Sequence, residues 1–333
     1  MAKRKDSIDA VKFILASMII ILHTIQMNCF TNYFTYGLLH MPQRLAVPLF
    51  FIMSSYFFWN SINQAENPIK KFLKNIGRWI CCYLFWSFIH LRFYWFDWYY
   101  PTGGVLWFFY ALIIGNVIVF LVTRFVKSKL LLAICAFILG LFMALADAWY
   151  GVAIHIPVVK AIITSYYEIF KTLLSGFTYG ILFSIVSYLL DDVFRNGNRS
   201  IKLSVKKIYV LRLFYSFCIR SRDGIHTYIH TLPKEYGFYL FMVPLCISIF
   251  TLLIKLDIKI PYSSCLGKLS TLMYYIHIMI AYHWLSFYSG LFADKSELVK
   301  DIHELVYVYV FTTWIALIIY LISKKVKILR KLF

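Results

Sequence analysis

The chain has 333 residues, of which 61% are hydrophobic, 20% aromatic and only 15% charged, and its 34 Lys and Arg against 15 Asp and Glu give a formal net charge of +19. A soluble domain carries about 25% charged residues, so these figures exclude a disordered chain, a soluble enzyme and a disulfide-stapled secreted module. The apolar fraction also excludes nucleic acid as the reason for the positive charge.

Apolar runs long enough to span a bilayer core of about 30 Å recur along the chain. They predict helices near 8–29, 44–62, 76–96, 104–123, 130–147, 169–190, 208–220, 237–254, 268–292 and 304–323. The first follows a basic stretch, Lys3 to Lys5, and imitates a signal peptide. Lys12 interrupts the run and no small-residue cleavage site follows, so it is expected to stay as the first span. Backbone in lipid must satisfy its own hydrogen bonds, and runs of this length do so as helices; the period-two alternation of barrel strands is not seen. The expected class is an all-α integral membrane protein of about ten transmembrane helices, forming a single domain over 1–333.

The weakest span is 208–220, which is short and carries Arg212. Charge arbitrates. With ten spans and the N-terminus inside, 23 of the 34 cations fall on inner loops, 7 on outer loops and 4 within spans. This is a positive-inside distribution, and it places both termini in the cytoplasm of a multi-pass protein of the cytoplasmic membrane. Without a crossing at 208–220 the cationic tail at 324–331 would move outside. The seven Cys are scattered without a C-x-x-C pair, which predicts neither a metal site nor a disulfide framework. No nucleotide-binding motif is present, and no permanently bound cofactor is expected.

Ionisable side chains within spans are costly and therefore point to function. Lys12 and His23 are eleven residues apart, an offset of about 20° around a helix and about 16 Å along it. Asp9 lies about 40° from His23 and Ala16 about 20°. One face thus reads acid, base, small residue, histidine. Lys12 can reach the cytoplasmic surface by snorkelling, whereas His23 reaches neither surface easily. Helix geometry alone also allows Lys12 to be a boundary anchor and His23 an interhelical hydrogen-bonder. In the third span, His90 and Arg92 precede the aromatic stretch 93–100, which suits a sugar-stacking surface or, more commonly, an interfacial belt. Arg212 and Lys171 find no role from the sequence.

Four segments carry a resemblance: IDAVKFILASMIIILH at 8–23, RLAVPLFFIMSSYFF at 44–58, VLWFFYALI at 105–113 and LGKLSTLMYYIHIMI at 266–280. In this order and spacing the chain resembles the acyltransferase-3 family of bacterial membrane O-acyltransferases, which acylate cell-envelope sugars from cytoplasmic acyl-CoA. The family's first-span signature is a basic residue, ten residues, then histidine. Here the base is Lys12 rather than the usual arginine, which keeps the charge without the bidentate fork. The second-span Ser-Gly is here Ser54-Ser55. A subgroup with lysine in the first motif and Arg-x-Ala-Val-Pro in the second, here Arg44 to Pro48, includes the membrane half of VanT-type serine racemases.

The resemblance implies a reaction and a set of roles. His23 is expected as the general base that takes a proton from an acceptor hydroxyl. Lys12, Lys74 and Arg78 are expected to receive the phosphates of acyl-CoA, most simply acetyl-CoA, as co-substrate. Lys74 and Arg78 also fit the topology signal alone. Arg44, Trp107, Tyr274 and His277 are expected to contact the acceptor, a surface glycan or lipid-linked precursor. Arg44 equally fits a cap on the outer edge of its span, Trp107 a packing role and His277 a core histidine bonded to a neighbouring helix. The alternative function is a small-solute transporter, for example of serine, suggested by the VanT-type relatives; a third is a structural subunit of an envelope assembly.

Overall fold

The computed structural model describes residues 5–25, 42–93, 106–147, 149–170, 176–196, 241–256 and 258–326. The expected span 208–220 with Arg212, and Lys171, lie outside these residues. The regular elements among them are helical: α1 (Asp6–Thr24), α2 (Ala46–Asn63), α3 (Pro68–Phe93), α4 (Trp107–Phe125), α5 (Lys129–Ala146), α6 (Tyr150–Ala153), α7 (Pro157–Phe170), α8 (Phe177–Arg195), α9 (Met242–Lys255), α10 (Ser263–Phe287) and α11 (Glu297–Lys325), with a 3-10 turn at Ser289–Phe292.

Five of these helices, α1, α4, α5, α8 and α11, are long and apolar enough to cross a membrane. The other expected spans behave differently. The stretch expected as one span at 169–190 is not one helix: α7 ends at Phe170 and α8 starts at Phe177. Gly176, at the head of α8, has φ +84°, a left-handed conformation that no helical residue shares. Around 76–96 the helix begins earlier, at Pro68, so Lys70, Lys71, Lys74 and Arg78 are its own first turns. α2 is buried over most of its circumference, including Ser55 and Asn60. Its polar groups meet other helices, which is why a hydropathy window understates it.

Directions follow from the contacts. α1 and α10 run parallel: Asp6 accepts from Ser263 Oγ at 2.8 Å and from the Ile260 amide at 3.3 Å, and His23 lies beside His277 near the far end of α1. The C-terminal end of α9 meets the start of α1, where Ser7 Oγ donates to the Leu253 carbonyl at 3.0 Å. α2, α4 and α8 are mutually parallel, with Phe51 near both Phe108 and Phe183, and Trp59 near both Phe120 and Tyr188. α5 runs against α8: Lys129 pairs with Asp192 at 2.5 Å, and Gly140 faces Leu182. These directions bring Lys5, Lys70, Lys74, Arg124, Lys129, Arg195 and Lys255 to one end of the bundle, since each stands at a helix terminus that meets the start of α1 or the end of α2 or α8. Exposed apolar side chains such as Phe137, Trp314 and Val310 lie on α5 and α11. A large apolar exterior of this kind suits lipid and not water.

Lipid tails are as apolar as leucine, so helices in a bilayer associate through close packing of small residues and internal hydrogen bonds. α4 and α8 illustrate this. A Cβ at Gly180 would collide with the Ala111 carbonyl, and one at Gly115 would collide with the Gly180 backbone. Gly180→Leu is therefore expected to force these helices apart and lower the melting temperature in detergent by about 5 °C or more. Gly290→Ala, with open space around it, should leave it unchanged; equal melting of both variants would contradict the close approach.

Candidate active site

α1 carries Lys12 and His23 on one stripe, and its neighbours give each a distinct setting. Lys12 Nζ lies 5.9 Å from the Phe57 ring centroid on α2, close enough for a cation–π contact. It also lines an open cavity of about 100 Å³. The walls come from five helices: Ile19 of α1, Phe50 and Ser54 of α2, Trp79 of α3, Phe108 and Phe109 of α4, and Thr271 and Tyr274 of α10, with Val47 and Leu112. The lining is aromatic and aliphatic with few polar groups and one cation. Such a lining suits a narrow, partly apolar ligand with a negative charge at the Lys12 side.

Tyr274 connects this cavity to the histidines. It lines the cavity, and its ring centroid is 6.1 Å from that of His277, one turn later on α10. His277 is fully buried. Its Nδ1 lies 3.1 Å from the Met273 carbonyl. A carbonyl only accepts, so Nδ1 carries the proton and Nε2 the lone pair. That Nε2 is buried without a hydrogen-bond partner among the described residues. The His23 ring lies 5.4 Å away, centroid to centroid, tilted by 35°. Unlike His277, His23 is exposed as a residue.

Arg44 stands just before α2. Its Nε is buried without a partner among the described residues. Of the residues singled out from the sequence, Lys12 and Tyr274 share the cavity, and Tyr274, His277 and His23 follow one another by ring contacts. Lys74 and Arg78 are exposed on α3 and do not line the cavity; Trp79, next to Arg78, does. Trp107 packs against Phe51 at 6.1 Å and Tyr179 at 5.9 Å, and its neighbours Phe108 and Phe109 form the wall. His90 is buried and donates Nε2–H to the Tyr275 carbonyl at 3.0 Å, which ties α3 to α10. The Arg92 side chain and residues 94–100 fall outside the described set.

Sequence reasoning missed Phe50, Ser54, Trp79 and Thr271. A signal existed for some of them. Phe50 and Ser54 are four apart on α2, and Thr271 and Tyr274 three apart on α10, the spacings that share a helix face.

A buried polar chain supports the cavity wall. Trp59 Nε1 donates to Ser184 Oγ at 3.2 Å, Ser184 donates to Asn116 Oδ1 at 3.0 Å, and Asn116 Nδ2 donates to Ser55 Oγ at 2.9 Å and to the Leu112 carbonyl at 2.8 Å. One asparagine therefore ties α2, α4 and α8 together next to Ser54 and Leu112.

An acyltransferase-domain family profile matches residues 5–321. The chain belongs to this acyltransferase family. A curated amino-acid racemase from Enterococcus faecalis is 26% identical over 317 residues, covering 86% of this chain and 43% of the racemase. The chain thus spans less than half the length of that relative. No solved structure matches it. In this chain, Asn116→Leu removes the central member of the buried chain and leaves the Ser55 and Ser184 hydroxyls short of a partner. A loss of about 1–3 kcal/mol is expected, read as a melting temperature several degrees lower in detergent; unchanged melting would contradict a structural role for the chain.

Proposed function

We propose that this membrane acyltransferase moves an acyl group, most simply acetyl, from cytoplasmic acyl-CoA to a hydroxyl of a cell-surface glycan or lipid-linked precursor, with His23 as general base. The observation that carries the reading is a run of contacts: Lys12 and Tyr274 line one cavity, Tyr274 packs on His277, and His277 meets the exposed residue His23.

The chemistry runs in two steps. The hydroxyl oxygen attacks the thioester carbonyl carbon while its proton passes to the free ring nitrogen of His23. The carbonyl oxygen becomes an oxyanion beside the Arg44 guanidinium, a fixed positive charge in a poorly hydrated setting. Collapse of the intermediate breaks the carbon–sulfur bond, leaves an ester on the acceptor, and returns the proton from His23 to the departing thiolate. Excluding water from a bilayer-depth site protects the thioester from hydrolysis.

Length supports Lys12 as the phosphate contact. An extended pantetheine arm places roughly 13 bonds between thioester sulfur and the first phosphorus, about 16 Å at the per-bond advance of an extended chain. Lys12 and His23 are separated by about 16 Å along α1. Lys74 and Arg78, exposed on the cationic end of the bundle, draw the anionic donor towards the entrance from solution. The cationic end faces the cytoplasm in this reading, with both termini there. Trp107, through Phe108 and Phe109, shapes the wall at the acceptor side.

A second reading, movement of a small amino acid such as serine, draws on the racemase relative. The two separate cleanly in reconstituted vesicles. The acyltransferase reading expects acetyl-CoA consumption that falls by about 100-fold or more in His23→Ala at normal protein level. It expects Lys12→Ala to raise the KM for acetyl-CoA by about 10-fold with a smaller change in kcat. Full activity of His23→Ala would refute the base assignment, and serine uptake without acetyl-CoA binding would favour the transporter.

A further inference from the structure

Burial of His277 leaves one feature that the proposed reaction does not use. Its Nδ1–H is committed to the Met273 carbonyl at 3.1 Å, so Nε2 can only accept. Nε2 is sealed from solvent, and among the described residues nothing donates to it. A buried acceptor without a donor is unfavourable, and such a group calls for a partner. The His23 ring lies against it, with its centroid 5.4 Å away.

That separation is close to the one a hydrogen bond requires. Two imidazoles joined by N–H···N at about 3.0 Å have centroids about 5.2 Å apart, given a ring radius of about 1.1 Å. The rings are tilted by 35°, and His23 is exposed as a residue, which leaves its ring room to turn a nitrogen onto the acceptor.

We infer that His277 is the positioning residue for His23: its Nε2 accepts a hydrogen bond from one ring N–H of His23 and so fixes which nitrogen of His23 carries the lone pair. The buried nitrogen of His23 is the donor to His277, and the accessible nitrogen is left unprotonated, facing the acceptor hydroxyl. When that nitrogen takes the hydroxyl proton, His23 becomes an imidazolium. The bond to Nε2 is then charge-assisted and stronger than in the neutral ring. No proton moves to His277, whose own proton stays on Nδ1 against the Met273 carbonyl. His277 thus does for His23, as a neutral acceptor, what a carboxylate does when it orients a catalytic histidine. Tyr274, packed on His277 at 6.1 Å, limits rotation of its ring.

The inference rests on His23 acting as base, but its test does not depend on that alone. Nitrogen-15 NMR of histidine-labelled protein in bilayers reads the His23 tautomer directly, with His23→Gln identifying its signals. Wild type is expected to show one neutral tautomer of His23. His277→Leu should give a mixture, together with a fall in kcat of about 10-fold or more and little change in the KM for acetyl-CoA. His277→Gln, whose side-chain carbonyl can accept the same bond, should restore the single tautomer and most of kcat. An unchanged His23 tautomer in His277→Leu would overturn the pairing, as would equal loss of kcat in the Leu and Gln variants. A His23→Ala protein that keeps full transfer would instead defeat the base assignment, and the tautomer result would still decide the pairing.

Discussion

The close approach of α1 to α10 governs the site. A Cβ at Gly267 would sit 2.5 Å from Asp9 Oδ1, so a side chain there would have to displace the buried Asp9 carboxylate. One turn earlier, Asp6 receives the Ser263 hydroxyl and the Ile260 amide at the start of α10. The two helices are joined at their N-terminal ends and run parallel. Each later turn of one then has a counterpart on the other, and the pairing ends with His23 against His277. If the first contact slipped by a turn, about 5.4 Å, the ring contact would be lost.

Around this pair the protein inverts the layout of a soluble domain. The outside of α5 and α11 is apolar, and the polar side chains turn inward. Asp191, fully buried on α8, accepts from Asn60 Nδ2 at 2.8 Å and Asn63 Nδ2 at 2.7 Å. Its neighbour Asp192 meets Lys129 and Arg195 at the end of the bundle. A buried carboxylate held by two amides has its lone pairs engaged, which offsets the cost of taking it out of water. Together with Asn116 these groups tie α2, α4, α5 and α8 to one another, and the cavity opens where α2, α3 and α4 meet the α1–α10 pair.

Much of this was legible in the sequence, and for stated reasons. The lengths of the apolar runs located most helices, since a bilayer span and a hydropathy window share one scale. The Lys12–His23 stripe followed from helical periodicity, and the Tyr274–His277 pair from its spacing. The break between α7 and α8 was not legible, because Gly176 sits in a run whose hydropathy is nearly continuous. The meeting of His23 and His277 was not legible either. It depends on two helices far apart in the chain packing in parallel, and the contacts that join them, Asp6 with Ser263 and Asp9 beside Gly267, have no local signature. Lys74 and Arg78 show a different limit. Their positions in the chain suggest proximity to a donor, but the direction of their side chains, outward from α3, depends on the helix rotation that buries Phe72, Ile76 and Cys82.

The central proposal is that an acyl thioester lies along α1, with its phosphates at Lys12 and its sulfur at His23, and passes through the cavity that Lys12 and Tyr274 line. The most direct measurement is a cryo-EM structure of the protein in lipid nanodiscs with a non-hydrolysable S-alkyl CoA bound. The account predicts the sulfur next to the His23 ring, the pantetheine arm between Phe50, Phe108 and Tyr274, and the diphosphate at Lys12. A ligand bound outside this cavity, or a sulfur remote from His23 with the cavity empty, would contradict it.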